Sequence, residues 1–144
     1  MWIIAAALLI GLDDKKTDVD AAELKKFAGK WSVTAQEHGG KKAPAKQLAS
    51  LALTIDGAGC TLKDGDEVRE ESEVVALDPK AKPAAIDLKI TGGDDKGKVV
   101  KAIYKFDGDK LTLCLAEPGK DRPKGFAGQS GTGHTLLELA RKKK

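Results

Sequence analysis

The sequence predicts an all-β chain: an eight-stranded antiparallel up-and-down barrel with a short N-terminal helix and a second short helix after strand one. Three observations predict it. From Gly29 to Arg141 the dominant pattern is apolar/polar alternation with a period of two. Turn residues interrupt that pattern roughly every 8 to 12 positions, the spacing of a sandwich or barrel and not of β-α-β units. Where two alternating runs meet at an Asp-Gly turn, the apolar residues of both land on one face.

Residues 2–12 are apolar but fall short of the ~20 residues that a membrane-spanning helix needs, so no stable span is expected. Asp13-Asp14-Lys15-Lys16 follow at once. Residues 1–17 read as a signal-like apolar segment with a polar spacer, although no basic residue precedes the run and no small-x-small cleavage site closes it. An uncleaved anchor and a mistaken start are the competing readings. Residues 18–144 then form one barrel domain, expected outside the cytoplasm, periplasmic or secreted.

A helix is predicted from Asp18 to Phe27, with Asp18 or Asp20 as its cap and Val19, Leu24 and Phe27 available for burial. Gly29 ends it. Strands follow at roughly 30–38, 51–56, 59–63, 67–77, 84–91, 98–106, 110–116 and 134–141, with a helical turn at Pro44–Ser50. Asp56-Gly57, Asp64-Gly65 and Asp107-Gly108 supply tight turns. Pro79 and Pro83 stiffen the loop between the fourth and fifth strands, and the glycine-rich stretch 117–133 is expected to be an irregular loop carrying Phe126.

Register follows from the turns. An Asp107-Gly108 turn sets Phe106 opposite Asp109, Tyr104 opposite Leu111, Ala102 opposite Leu113 and Val100 opposite Leu115. A loop at 56–59 sets Ile55 opposite Cys60 and Leu53 opposite Leu62. Cys60 therefore points inward, whereas Cys114, opposite Lys101, points outward. The two cannot meet across the sheet, and free thiols are expected.

The segment Lys26-Phe27-x-Gly29-x-Trp31 resembles the first signature of the lipocalins, in which the Trp opens strand one at the closed end of the barrel and a basic residue from the last strand packs across it. Arg141 is the basic residue here, so Gly29, Trp31 and Arg141 form the expected closure. Residues 23–141 are similar to the uncharacterised lipocalin-like domain abundant in planctomycete bacteria. Carrying the likeness are Leu77-Asp78-Pro79, Ala85-Ile86-Asp87, Ile103-Tyr104-x-x-Asp107-Gly108-Asp109-x-Leu111-x-Leu113-Cys114, Arg122-Pro123-x-x-Phe126 and Gly133-x-Thr135-Leu136-Leu137. The resemblance implies an exported barrel and brings no activity with it.

The inward set is expected to include Trp31, Val33, Leu53, Ile55, Leu62, Val75, Leu77, Ile86, Leu88, Ile90, Ala102, Tyr104, Phe106, Leu111, Leu113, Leu137 and Leu139. Aromatics are only 4% of the chain, so medium-sized aliphatic side chains must fill the centre or leave a pocket. Of that set, Trp31, Val33, Leu53, Ile55, Leu62, Ile86, Leu88, Tyr104, Phe106, Leu113, Leu137 and Leu139 are the expected walls for a small apolar or amphiphilic ligand. Tyr104 offers a polar contact, or else is a core tyrosine with its hydroxyl at the rim. The alternative is a filled barrel that acts as a cell-envelope interaction module through loops 40–50 and 117–133.

Other chemistry finds little support. A net charge of +3 with Lys interspersed among Asp and Glu does not make a nucleic-acid surface. If Arg141 faces Trp31, then His38 faces His134 on the outside near one rim, and two imidazoles are too few for zinc. The acidic turns lack the alternating oxygen spacing of a calcium loop. Glu67, Glu70, Glu71 and Glu73 read as a solvated strand face. No nucleophile elbow or phosphate-cradling loop is visible, so neither a cofactor nor a reaction is expected.

Overall fold

The computed structural model describes residues 19–128 and 131–142. The expected signal-like segment lies outside them. Helix α1 (Ala21–Phe27) begins at Asp20, whose carboxylate accepts the Glu23 backbone N–H at 3.0 Å. That bond satisfies one of the orphan donors of the first turn. Nine strands follow: β1 (Gly29–His38), β2 (Lys41–Lys42), β3 (Leu51–Asp56), β4 (Gly59–Asp64), β5 (Glu67–Asp78), β6 (Ala84–Ile90), β7 (Val99–Asp107), β8 (Lys110–Leu115) and β9 (Thr135–Arg141). The short helix α2 (Ala45–Leu48) lies between β2 and β3 and sends Leu48 into the core.

Each long strand pairs antiparallel with its sequence neighbour, and β9 returns to pair with β1, setting Arg141 opposite Trp31 and Leu139 opposite Val33. Eight strands thus close a barrel, and β2 is a two-residue extension on β1. Closure leaves the long strands without a free edge, which removes the usual route to edge-to-edge aggregation.

Three hairpins share one rule. Asp56, Asp64 and Asp107 are the last paired residues of their strands, opposite Gly59, Glu67 and Lys110. Gly57, Gly65 and Gly108 take the first turn position at φ +60°, +64° and +61°, a conformation that a side chain disfavours. The β7–β8 register therefore differs by two residues from the expected one: Phe106 faces Leu111, Tyr104 faces Leu113, and Ala102 faces Leu115. A shift of two leaves every side chain on the face first assigned to it.

Three irregularities in pairing shift the alternation by one. Thr34 is the extra residue of β1 against Glu138 and Leu139, and its hydroxyl donates to the Glu138 carbonyl at 3.0 Å. Arg69 is the extra residue of β5 against Leu62 and Lys63. Val75 is a third, against Leu88 and Asp87, so Val74 is buried and not the expected Val75, while Leu77 regains the inner face.

The segment between β8 and β9 covers the outer face of β7 and β8. Arg122 donates to the Ile86 and Ala102 carbonyls at 3.2 and 2.9 Å and forms a 2.7 Å ion pair with Asp87. Lys105 sits 4.6 Å from the centre of the Phe126 ring. Cys114 does point outward, but opposite Ile103 and not Lys101, and it is fully buried because this cover lies over it; its Sγ is 3.5 Å from the Ala127 carbonyl. Cys60 and Cys114 are both free.

Candidate functional site

One end of the barrel is plugged. Phe27, at the last turn of α1, packs edge-on against Tyr104 and Phe106, each with ring centres 4.9 Å away. Trp31 Nε1 donates to the Phe27 carbonyl at 2.8 Å, and the Arg141 guanidinium lies 4.2 Å over the indole ring. Arg141 also donates to the Ala28 and Lys26 carbonyls at 2.6 and 2.8 Å, two acceptors at the C-terminal end of α1. Gly29 stands between helix and strand at φ +124°, and a Cβ there would come within 3.0 Å of Arg141 Nη1. The Gly-x-Trp spacing therefore serves a bend that brings helix, indole and arginine together.

Tyr104 belongs to this plug. Its hydroxyl donates to Glu23 Oε2 at 2.7 Å, and Glu23 Oε1 is 3.0 Å from Lys26 Nζ. Burial raises the phenol pKa, and the Glu23 carboxylate raises it further, as do the charges of Asp78 and Asp20. Its polar atom is thus committed to α1 and is not offered to a ligand.

Above the plug lies a chamber of about 390 Å³. Val33, Leu53, Ile55 and Leu62 line it from β1, β3 and β4. Ile86, Leu88, Leu113, Leu137 and Leu139 line it from β6, β8 and β9. Of the expected walls, Trp31, Tyr104 and Phe106 do not line it: they fill the closed end beneath, where Phe27 forms the floor. Leu53, Leu62, Leu88, Leu115 and Leu137 face inward yet are only half-buried, because the space in front of them is not occupied by protein. Left dry, a void of 390 Å³ would cost about 9 kcal/mol at ~24 cal/mol per Å³, comparable to the ~5–15 kcal/mol stability of a whole domain. Solvent or ligand must therefore occupy it.

The mouth of the chamber is polar, and sequence alternation alone misassigns it. Because Thr34 shifts the phase of β1, Gln36 and His38 turn inward to line the chamber. His38 is opposite Thr135, not His134, and its Nδ1 is 2.8 Å from Thr135 Oγ1. Because Arg69 shifts the phase of β5, Glu70 and Ser72 also line it, opposite Leu62 and Cys60, so Glu70 turns to the chamber side while staying solvent-exposed at the mouth. Asp95 and Glu117 complete the mouth from the β6–β7 connection and the end of β8. Partial desolvation raises the Glu70 pKa, and the Asp95 charge adds to it; burial pushes the Cys60 thiol up to about 11, against the smaller opposing effect of a Ser72 hydrogen bond. None of these shifts was readable in the sequence, since a bulge has no signature in an alternating pattern.

A larger concavity of about 980 Å³ lies outside the barrel, between the Asp78–Pro83 turn and Arg122 to Lys124. Its most organised element, the Arg122–Asp87 pair, already anchors the outer cover. Comparison of the chain with protein-family models, curated proteins and solved structures returns no match. Among the described residues, no group of three or more His, Cys, Asp or Glu side chains is placed to hold a metal ion.

Proposed function

We propose that this protein is an extracytoplasmic carrier or sensor that holds a small apolar or amphiphilic molecule in its barrel and catalyses no reaction. The observation that carries this reading is the 390 Å³ chamber, within the range of small-molecule sites and walled by leucines that the protein itself leaves half-covered. The plug of α1, Trp31 and Arg141 supports kinship with lipocalin-like domains, and the apolar run at residues 2–12 supports export. A non-catalytic role fits the chamber's one thiol, Cys60, whose raised pKa keeps it protonated and poorly nucleophilic at neutral pH.

Native mass spectrometry of the protein purified from its own host tests this directly. A lipid-sized adduct is expected on the wild type, and loss of that adduct from a Leu88→Trp variant whose wall fills the chamber. The reading fails if the wild type carries no adduct and a panel of apolar probes leaves its melting temperature unchanged.

A further inference from the structure

The floor of the chamber is blind to charge, whereas its mouth is not. Glu70, Asp95 and Glu117 all line the opening, and no lysine or arginine among the described residues lines the chamber. Asp95 is paired with Lys98 at 2.9 Å, but no described cation pairs with Glu70 or Glu117. The other ionisable side chain at the mouth, His38, has its Nδ1 engaged with Thr135.

Glu70 is the informative member. Its inward position depends on the extra residue Arg69; counted from the Asp64-Gly65 turn without that shift, Glu71 and Glu73 would face the wall and Glu70 would point away from it. Instead it faces Leu62, and Ser72 follows on the same inner face opposite Cys60. Glu70 is solvent-exposed at this rim, beside the apolar wall and with no described cation paired to it, so a positively charged head group entering the chamber meets an unneutralised carboxylate.

We propose that the chamber selects amphiphiles bearing a protonated amine, with the apolar tail against the leucines and the ammonium group at Glu70. This rests on the carrier reading above and adds the class of head group. Ser72, two residues along the same inner face of β5, provides a hydrogen-bond acceptor for that head, Gln36 adds another on the lining, and Asp95 and Glu117 extend a negative field over the entrance. An anionic head, as in a fatty acid, meets like charge at the mouth and finds no lysine or arginine on the lining.

Calorimetric titration with three probes of equal chain length, decylamine, decanol and decanoate, separates tail binding from head selection at about pH 8, where carboxylates are ionised and the amine is protonated. Decylamine is expected to bind about tenfold or more tightly than decanol, and decanoate more weakly than decanol. Glu70→Gln should erase the advantage of the amine while retaining decanol affinity, which also reports that the variant is folded. In the wild type, added salt should weaken decylamine binding and leave decanol unchanged. Equal affinity for amine and alcohol, or tighter binding of decanoate, overturns the head-group selection and leaves the carrier reading intact. Failure of all three probes to bind overturns both.

Discussion

Arg141 performs three tasks with one guanidinium: it covers the Trp31 ring, donates to the Ala28 carbonyl and donates to the Lys26 carbonyl. Arg141→Met keeps the aliphatic stem and loses the charge and both donors. It should lower stability by about 1–3 kcal/mol in urea titration, with Arg141→Lys recovering only part because an ammonium cannot reproduce the planar fork. Tyr104→Phe removes the sole described hydrogen-bond donor from a tyrosine to the buried Glu23; a loss of about 1–3 kcal/mol is expected, and a double-mutant cycle with Glu23→Gln should show coupling between the two. Cys60 gives a pH signature. Its folded pKa is raised from 9.0 to about 11, so the folded state retains a proton that the unfolded state releases, and the stability this contributes is present below about pH 9 and lost as pH rises toward 11. Denaturation midpoints of the wild type should therefore fall more steeply across that window than those of Cys60→Ala.

At the scale of elements, the hairpins and the bulges behaved differently as sequence features. Each Asp-Gly pair marked its reversal, and displacing the β7–β8 register by two residues left Tyr104, Ala102 and Leu113 on the faces that alternation gave them. The bulges at Thr34, Arg69 and Val75 were not legible, because an extra residue looks identical to its neighbours in composition and only the partner strand reveals that it is unpaired. Two of these hidden residues turn Gln36, His38, Glu70 and Ser72 toward the chamber, so the polar half of the site was invisible while the apolar half was readable. Deleting Thr34 should remove the bulge and leave a strict alternation in β1 that keeps Gln36 and His38 on the inner face, opposite Leu137 and Thr135. The expected readout is a retained His38–Thr135 contact, seen as an unchanged imidazole chemical shift, with binding of amphiphilic probes preserved.

For the whole molecule, the distribution of bulk decides between a filled and a hollow barrel. The large rings gather at the closed end, where Phe27, Trp31, Tyr104 and Phe106 contact one another, and leave the other end to leucine, isoleucine and valine. Leu88→Trp should raise the melting temperature of the empty protein or leave it unchanged, and abolish probe binding, because the added ring occupies space that would otherwise hold ligand or water. A ligand that binds only the folded state should raise the wild-type melting temperature in proportion to the logarithm of its concentration. The sequence by itself determined the class of fold, the order of the strands and the inward aliphatic set apart from Val75, since these follow from local alternation and turn chemistry, and the Gly29–Trp31–Arg141 closure was what its resemblance to the lipocalin signature implied. Only the tertiary structure decided that the aromatics would cap one end instead of filling the middle, and that carboxylates would line the other. Both depend on which strand residues lack a partner and on where a helix lodges, and those are properties of the closed barrel, not of any one segment.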